Sequence, residues 1–267
     1  MPLNAHEAFQ AGKLQDAIAG ATDAVRSAPT DTGKRGFLAE LLCFAGEWER
    51  ADKQLDALGH QDPETMLGIS LFRHLIRAEQ ARQQFYTEGR APEFLAQPTP
   101  AMRLALEANI LLREGKSTEA AKVLAEVEEK RPKPGGTCNG KPFEDLRDLD
   151  DASAGVFEVL TSNGKFYWVA LELVESIEFR KPARPRDLLW RRAHMIVRDG
   201  PDGEVYLPSL YAGSQSDPDD QIRLARATNW KGGNDGAPVR GVGQRTFLVG
   251  EDALSILELE EVEFKQG

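Results

Sequence analysis

Apolar residues in the first half of the chain recur every three or four positions, the spacing of one helix face. Ala5, Ala8 and Phe9 lie on one such face, and Leu14, Ile18, Ala21 and Val25 on the next. Phe37, Leu38, Leu41, Leu42 and Phe44 form a third, and Trp48, Ala51, Leu55 and Leu58 a fourth. Leu104, Ala108, Leu111 and Leu112 precede Ala120, Val123, Leu124 and Val127 in a further pair. The breaks between faces are themselves periodic. Gly12, Gly46 and Gly115 are each followed five residues later by Ala17, Ala51 or Ala120, and 17 residues later by Pro29, Pro63 or Pro132. Gly12 and Gly46 are 34 residues apart, the period of a tetratricopeptide-type array of helix pairs. The glycine ends a first helix in the left-handed conformation, the alanine lets the second approach, and the proline stops it. The third unit departs from the pattern. Gln80 stands where the glycine belongs, so Leu67, Leu71, Phe72, Leu75 and Ile76 predict an atypical pair with a helical or displaced turn. A proline-rich loop then runs from Arg90 to Pro100.

The period changes after Arg131. Pro132, Pro134, Gly135, Gly136, Gly140 and Pro142 read as a turn-rich linker. Beyond it, strands are predicted over Val156–Leu160 and Phe166–Leu171 around the Asn163-Gly164 turn. A second hairpin joins Trp190–Val197 to Glu204–Leu207, and two more strands span Gln244–Val249 and Leu257–Phe264. Glu144–Asp151 and Asp187–Leu189 suit short helices, and Ser214–Gly243 a long loop with local order. The expectation is an α+β protein: a tetratricopeptide-like helical repeat domain over residues 1–134, then a small, mainly antiparallel β-rich domain over 135–267.

Composition narrows the function. With 41% hydrophobic and 28% charged residues the chain folds as a globular protein. A net charge of −10, split as −3 up to Lys133 and −7 beyond, disfavours a nucleic-acid partner held through phosphates. No apolar run approaches 18 residues, so no membrane partner is expected, and Met1–Gln10 lacks the pattern of a signal peptide. Two cysteines build no disulfide framework, which fits a reducing cytoplasm.

Catalytic signals are weak. Cys138 in a glycine-rich turn, with His194 as base, is the one nucleophile arrangement to consider, against a small residue in a linker. Cys43 sits on an apolar helix face and reads as packing. Glu144, Asp145, Asp148, Asp150 and Asp151 lack calcium-loop spacing and read as a solvated acidic surface or a helix N-terminus. His6, His60, His74 and His194 show no metal spacing, and no phosphate-binding or dinucleotide motif is present. No cofactor, metal or catalytic group is expected. The aromatic residues are more informative: Phe166, Tyr167, Trp168, Trp190, Tyr206, Tyr211 and Trp230 cluster in the second half. They are either the core of a small β domain or the anchors of an apolar groove.

Several motifs together resemble a known family. They are Asn163-Gly-Lys-Phe-Tyr-Trp-Val169, Arg184-Pro-Arg-Asp-Leu-Leu-Trp190, Leu207-Pro-Ser-Leu-Tyr211, Ala227-Thr-Asn-Trp230 and Val239-Arg-Gly-Val-Gly-Gln-Arg245. Following the helical repeats, this set resembles the TagJ family, also called ImpE, an accessory family of bacterial type VI secretion. The resemblance implies a cytoplasmic, non-enzymatic protein that binds the N-terminal helix of the small subunit of the contractile sheath. It also implies an indirect link to the AAA+ ATPase that disassembles the sheath. Such a helix would lay apolar residues into a groove where the repeats join the β domain. Tyr167, Trp190, Tyr211 and Trp230 are the expected anchors, with Arg191 and Arg192 orienting acidic groups. The alternatives are a general tetratricopeptide adaptor or chaperone and, in another class, a Cys138-dependent hydrolase.

Overall fold

The computed structural model describes residues 3–61, 66–234 and 236–265. Met1 and Pro63, named above, lie outside them. Among the described residues seven α-helices precede the first strand: α1 (Ala5–Gln10), α2 (Leu14–Ser27), α3 (Thr32–Phe44), α4 (Trp48–Gln61), α5 (Met66–Glu88), α6 (Pro100–Arg113) and α7 (Ser117–Lys130). Gly12, Gly46 and Gly115 hold φ between +72° and +75°, as the repeat requires. Ala17, Ala51 and Ala120 are fully buried where the paired helices touch. Side-chain caps start three of the helices: Asn4 for α1, Asp31 for α3, and Thr99 with Pro100 in the first turn of α6.

The third unit is a single 23-residue helix. With Gln80 in place of glycine nothing breaks the backbone ladder, so α5 continues through the expected turn. It presents Phe72, Leu75, Ile76 and Phe85 along one buried side. Among the described residues no helix is long and apolar enough to cross a membrane.

The strands are β1 (Gly136–Cys138), β2 (Lys141–Phe143), β3 (Leu146–Asp148), β4 (Val156–Leu160), β5 (Phe166–Ala170), β6 (Val174–Phe179), β7 (Trp190–Val197) and β8 (Asp202–Pro208). After a short helix α8 (Asp220–Arg223) come β9 (Thr228–Lys231), β10 (Arg240–Gly243), β11 (Thr246–Val249), β12 (Asp252–Ser255) and β13 (Glu261–Phe264). Eight form one antiparallel sheet in the order β2-β1-β13-β6-β7-β8-β4-β5. β12-β11-β3 form a second sheet, and β9 pairs with β10.

Alternation along β4 and β5 assigns the two faces. Val156, Leu160, Phe166, Trp168 and Ala170 join the helices in one core. Phe157, Val159 and Val169 face a second core, closed by Phe247 and Val249 of β11. A central strand covered on both faces has no polar side, which is why all five β4 residues are buried. The outer edge of β5 is capped by the proline-rich loop: Glu93 donates its N–H to the Phe166 carbonyl at 2.8 Å and accepts from the Trp168 N–H at 3.1 Å.

Three stretches differ from the sequence reading. The expected linker Pro132–Pro142 contains the β1–β2 hairpin, an integral edge of the large sheet. Its glycines serve close strand packing: a Cβ on Gly136 would stand 2.0 Å from the Glu263 carbonyl oxygen. Gly136→Ala is therefore expected to cost about 1–3 kcal/mol. Urea unfolding measures it, and a cost below about 0.5 kcal/mol would show that the edge simply shifts. The segment Glu144–Asp151 is strand β3 and its turn, since Leu146 needs the second core.

Ser214–Gly243, read as a loop, holds α8 and the β9–β10 hairpin. It also clasps the helical array. Asp220 Oδ2 accepts from the Leu14 N–H at 2.8 Å, at the start of α2. Arg226 donates to the carbonyls of Phe9 and Gln10 at 2.8 and 3.0 Å, at the end of α1.

Candidate functional site

The junction of helices and sheet is polar at its centre. Arg82 of α5 donates to Glu158 of β4, to Glu79 and to the Leu210 carbonyl, each at 2.9 Å. Arg245 bonds Glu158 and, at 2.8 Å, Asp148. Tyr86 donates to Glu158 at 2.8 Å, and Tyr211 to Asp148 at 2.9 Å. Burial pushes the Glu158 carboxyl up, but Arg82 and Arg245 outweigh it and hold the pKa at about 2. For Asp148 burial prevails over Arg245 and raises the pKa to about 6. The acidic stretch is thus no solvated surface. Asp148 and Asp150 are buried, and Asp145, Asp150 and Asp151 pair with Arg131, Arg240 and Arg147. Glu144 alone of the five is fully solvated. Among the described residues no group of acids, histidines or cysteines is arranged to hold a metal ion.

Cys138 and His194 do not meet. Cys138 on β1 aligns through Val262 and Ile177 with Met195 on β7, three strand spacings away, or about 14 Å. His194, one residue on, points to the opposite face and pairs with Asp202 at 2.7 Å. Burial raises the pKa of both thiols, Cys43 and Cys138, so neither is an activated nucleophile.

The expected anchors are dispersed. Trp190 is 2% exposed: its indole N–H donates to Glu79 at 3.1 Å, and its ring packs on Trp48 and Phe72. Tyr211 is buried under Gly241, where a Cβ would stand 2.2 Å from the ring. Arg191 is buried on the opposite face of the sheet from Trp190 and reaches the Leu259 carbonyl at 3.3 Å. Arg192 is exposed and held by Glu204 at 2.5 Å. Trp230 is 43% exposed, its ring edge-on to Tyr211. Tyr167 is half-buried, lining a hollow of about 320 Å³ with Leu95, Val159 and Met195. The structure brings no four of these side chains to one groove. The family motifs mostly build the junction.

An open groove lies elsewhere, where α1, α3, α4 and α5 meet a strap from the β half. It measures about 610 Å³. Its apolar wall comes from Phe37 of α3, Leu55 and Leu58 of α4, and Ile69 and Phe72 of α5. The strap contributes Ala183, Arg184, Pro185 and Arg186. Asp187 shapes it by accepting from the backbone N–H groups of Ala183 and Arg184 at 2.8 and 3.1 Å. Arg186 lays its guanidinium over the Phe72 ring at 4.8 Å, and His6 of α1 stacks on Phe37 at 3.9 Å. On the strap's other side, Trp190 and Arg192 border a second hollow of about 270 Å³ with Arg180 and Lys181.

Two features mark the groove as unfilled by the protein's own packing. Gly33, Gly36 and Gly68 line it, inside helices where glycine costs about 1 kcal/mol against alanine. A Cβ at Gly36 or Gly68 would meet nothing within 4 Å. Just before Gly68, Leu67 is 88% exposed at the start of α5. Two glycines within the first turn and a half of a capped helix were the sequence signal for this surface.

The chain is thus a helical-repeat array sealed to a doubly covered antiparallel sheet, with an open groove at the seam. Known proteins share this sequence and fold. The family model described as ImpE protein matches residues 140–263. The type VI secretion system accessory component TagJ of Pseudomonas aeruginosa is 30% identical over 261 residues, spanning 98% of this chain and 91% of that protein. The crystal structure of protein VPA1032 from Vibrio parahaemolyticus matches with a TM-score of 0.91 at 28% identity, covering 98% of each chain. The chain belongs to the TagJ/ImpE family.

Proposed function

We propose that this chain is a cytoplasmic, non-enzymatic accessory of type VI secretion, and that it binds the amphipathic N-terminal helix of the small sheath subunit. Through that contact it modulates sheath assembly or disassembly, and so acts indirectly on the substrate of the AAA+ ATPase. The observation that carries the reading is the open groove of about 610 Å³ between the array and the strap. Its apolar wall suits a helix presenting residues at i, i+3, i+4 and i+7. The glycines on α3 and α5 let a helix backbone approach. Of the anchors expected from sequence, Trp190 supports this surface from below through Phe72, whereas Arg192 lies beyond the strap at the second hollow.

The test is a calorimetric titration of the full chain with a synthetic N-terminal helix of the small sheath subunit from the same organism. Saturable one-to-one binding is expected. Gly36→Phe should plug the groove and weaken binding by about tenfold or more, or about 1.4 kcal/mol. Its melting temperature should hold or rise, because glycine is the weaker helix former. Undiminished binding by this variant would move the helix to another surface. Absence of binding by the wild-type chain at high micromolar peptide would remove the sheath helix as partner.

A further inference from the structure

We propose that Glu40 is the specificity residue of this groove, selecting a docking helix that carries a lysine or arginine on its apolar face. The inference rests on the reading that the groove takes a helix.

Glu40 belongs to the otherwise apolar stretch of α3 and lines the groove beside Phe37. It is 8% exposed, yet among the described residues no hydrogen bond or ion pair reaches its carboxyl. Buried carboxylates are ordinarily paired, and an unpaired one is costly enough that it marks a site completed from outside. The cations nearby do not complete it. Arg186 faces it from the strap but is stacked on Phe72, and Arg184 is exposed at the rim. Asp187 adds a negative charge from the same strap. His6 of α1 lines the groove as well, and Cys43, one turn along α3, is a buried thiol within electrostatic reach of Glu40 and Glu79.

An entering ammonium or guanidinium would meet a carboxyl largely shielded from water and open only toward the groove, with no hydrogen-bonded partner to displace. Arg184 and Arg186 would turn away the same cation along the rim, so position along the groove is specified as well as charge. Burial pushes the Glu40 pKa up to about 7, with Arg186 and Arg184 holding it down only in part. A bound cation would drive that proton off. Affinity for a basic helix should therefore rise with pH through neutrality.

The experiment uses the full chain and two synthetic amphipathic helices that differ at one central apolar-face position, lysine in one and methionine in the other. At pH 8 the lysine helix should bind about tenfold tighter. The preference should shrink at pH 6 and vanish in Glu40→Gln, whose circular dichroism and melting temperature check its fold. The glutamine variant also separates Glu40 from His6. Equal binding of both helices by the wild type, or a preference that survives in Glu40→Gln, would overturn the proposal. The sheath helix is titrated in parallel. If the wild type binds it and Glu40→Gln binds it equally well, the docking reading stands and this one falls. If the wild type binds none of the three helices, both fall.

Discussion

Arg82→Met is expected to destabilise the protein by about 3–5 kcal/mol, a large share of the 5–15 kcal/mol typical of a folded domain. Arg82 is buried at the seam and joins an α5 carboxylate, a β4 carboxylate and the Leu210 carbonyl. Methionine fills comparable volume but leaves those acceptors short of a donor in a site without water access. Glu158 keeps Arg245 and Tyr86, and Glu79 keeps Gln83 and Trp190, which bounds the loss. Urea unfolding of Arg82→Met, Glu158→Gln and the double variant measures it. The double should cost less than the sum, because removing both partners strands fewer charges. A loss below about 1 kcal/mol in Arg82→Met would mean that Arg245 carries the network alone.

The same pair sets an acid limit. Glu158 titrates at about 2 in the fold against an ordinary 4.5. A depressed folded pKa contributes stability that is fully present above the unfolded value and is lost as pH falls toward 2. The difference amounts to about 3 kcal/mol, and Arg82→Met should reduce it.

Ending the chain at Pro134 is expected to yield no stable helical domain. The boundary follows the change in sequence period, and α7 and β1 fall on either side of it. The core does not follow it. Phe72, Leu75, Ile76 and Phe85 of α5 share one cluster with Val156, Leu160, Phe166, Trp168 and Trp190. Phe85 packs edge-on against Trp168 at 4.9 Å, and Phe72 against Trp190 at 5.9 Å. Each large ring uncovered costs on the order of 2 kcal/mol, and Arg82 and Glu79 would lose their partners across the seam. Residues 1–134 should express as an aggregating or molten species with retained far-UV but weak near-UV dichroism. A monomeric fragment with a cooperative transition would show that the repeats fold alone, and would make the seam a docking interface between true domains.

The helical array was legible because its marks are local. A glycine that must adopt positive φ and an alanine that must fit between two helices are constraints within one 34-residue unit. The loss of the turn at Gln80 was legible too, though only the structure chose the continuous α5 over a displaced turn. Strands β4, β7 and β8 were marked by the hairpins that join them to neighbours. β1 and β2 were hidden, because Gly136 and Pro142 have the composition of a linker, and β1 joins the sheet through β13, more than 100 residues away. β9 and β10 pair locally with each other, but were hidden in a stretch whose glycines and polar residues have the composition of a loop.

The aromatic residues divide by what lies opposite them. The sequence placed Tyr167 across the strand from Phe166 and Trp168, and that alternation holds. It contained nothing to say that α5 would cover Trp190, or that Gly241 would lie on the Tyr211 ring. Nor did it show that Glu40, midway along an apolar helix face, would have no hydrogen-bond or ion-pair partner among the described residues. Local chemistry, read residue by residue, determined the fold class, the repeat and the family. Which side chains became core, which carboxylates met an arginine, and which surface stayed open were decided by contacts between distant segments. Such contacts depend on how two faces seat together, a property that neither face carries in its own sequence.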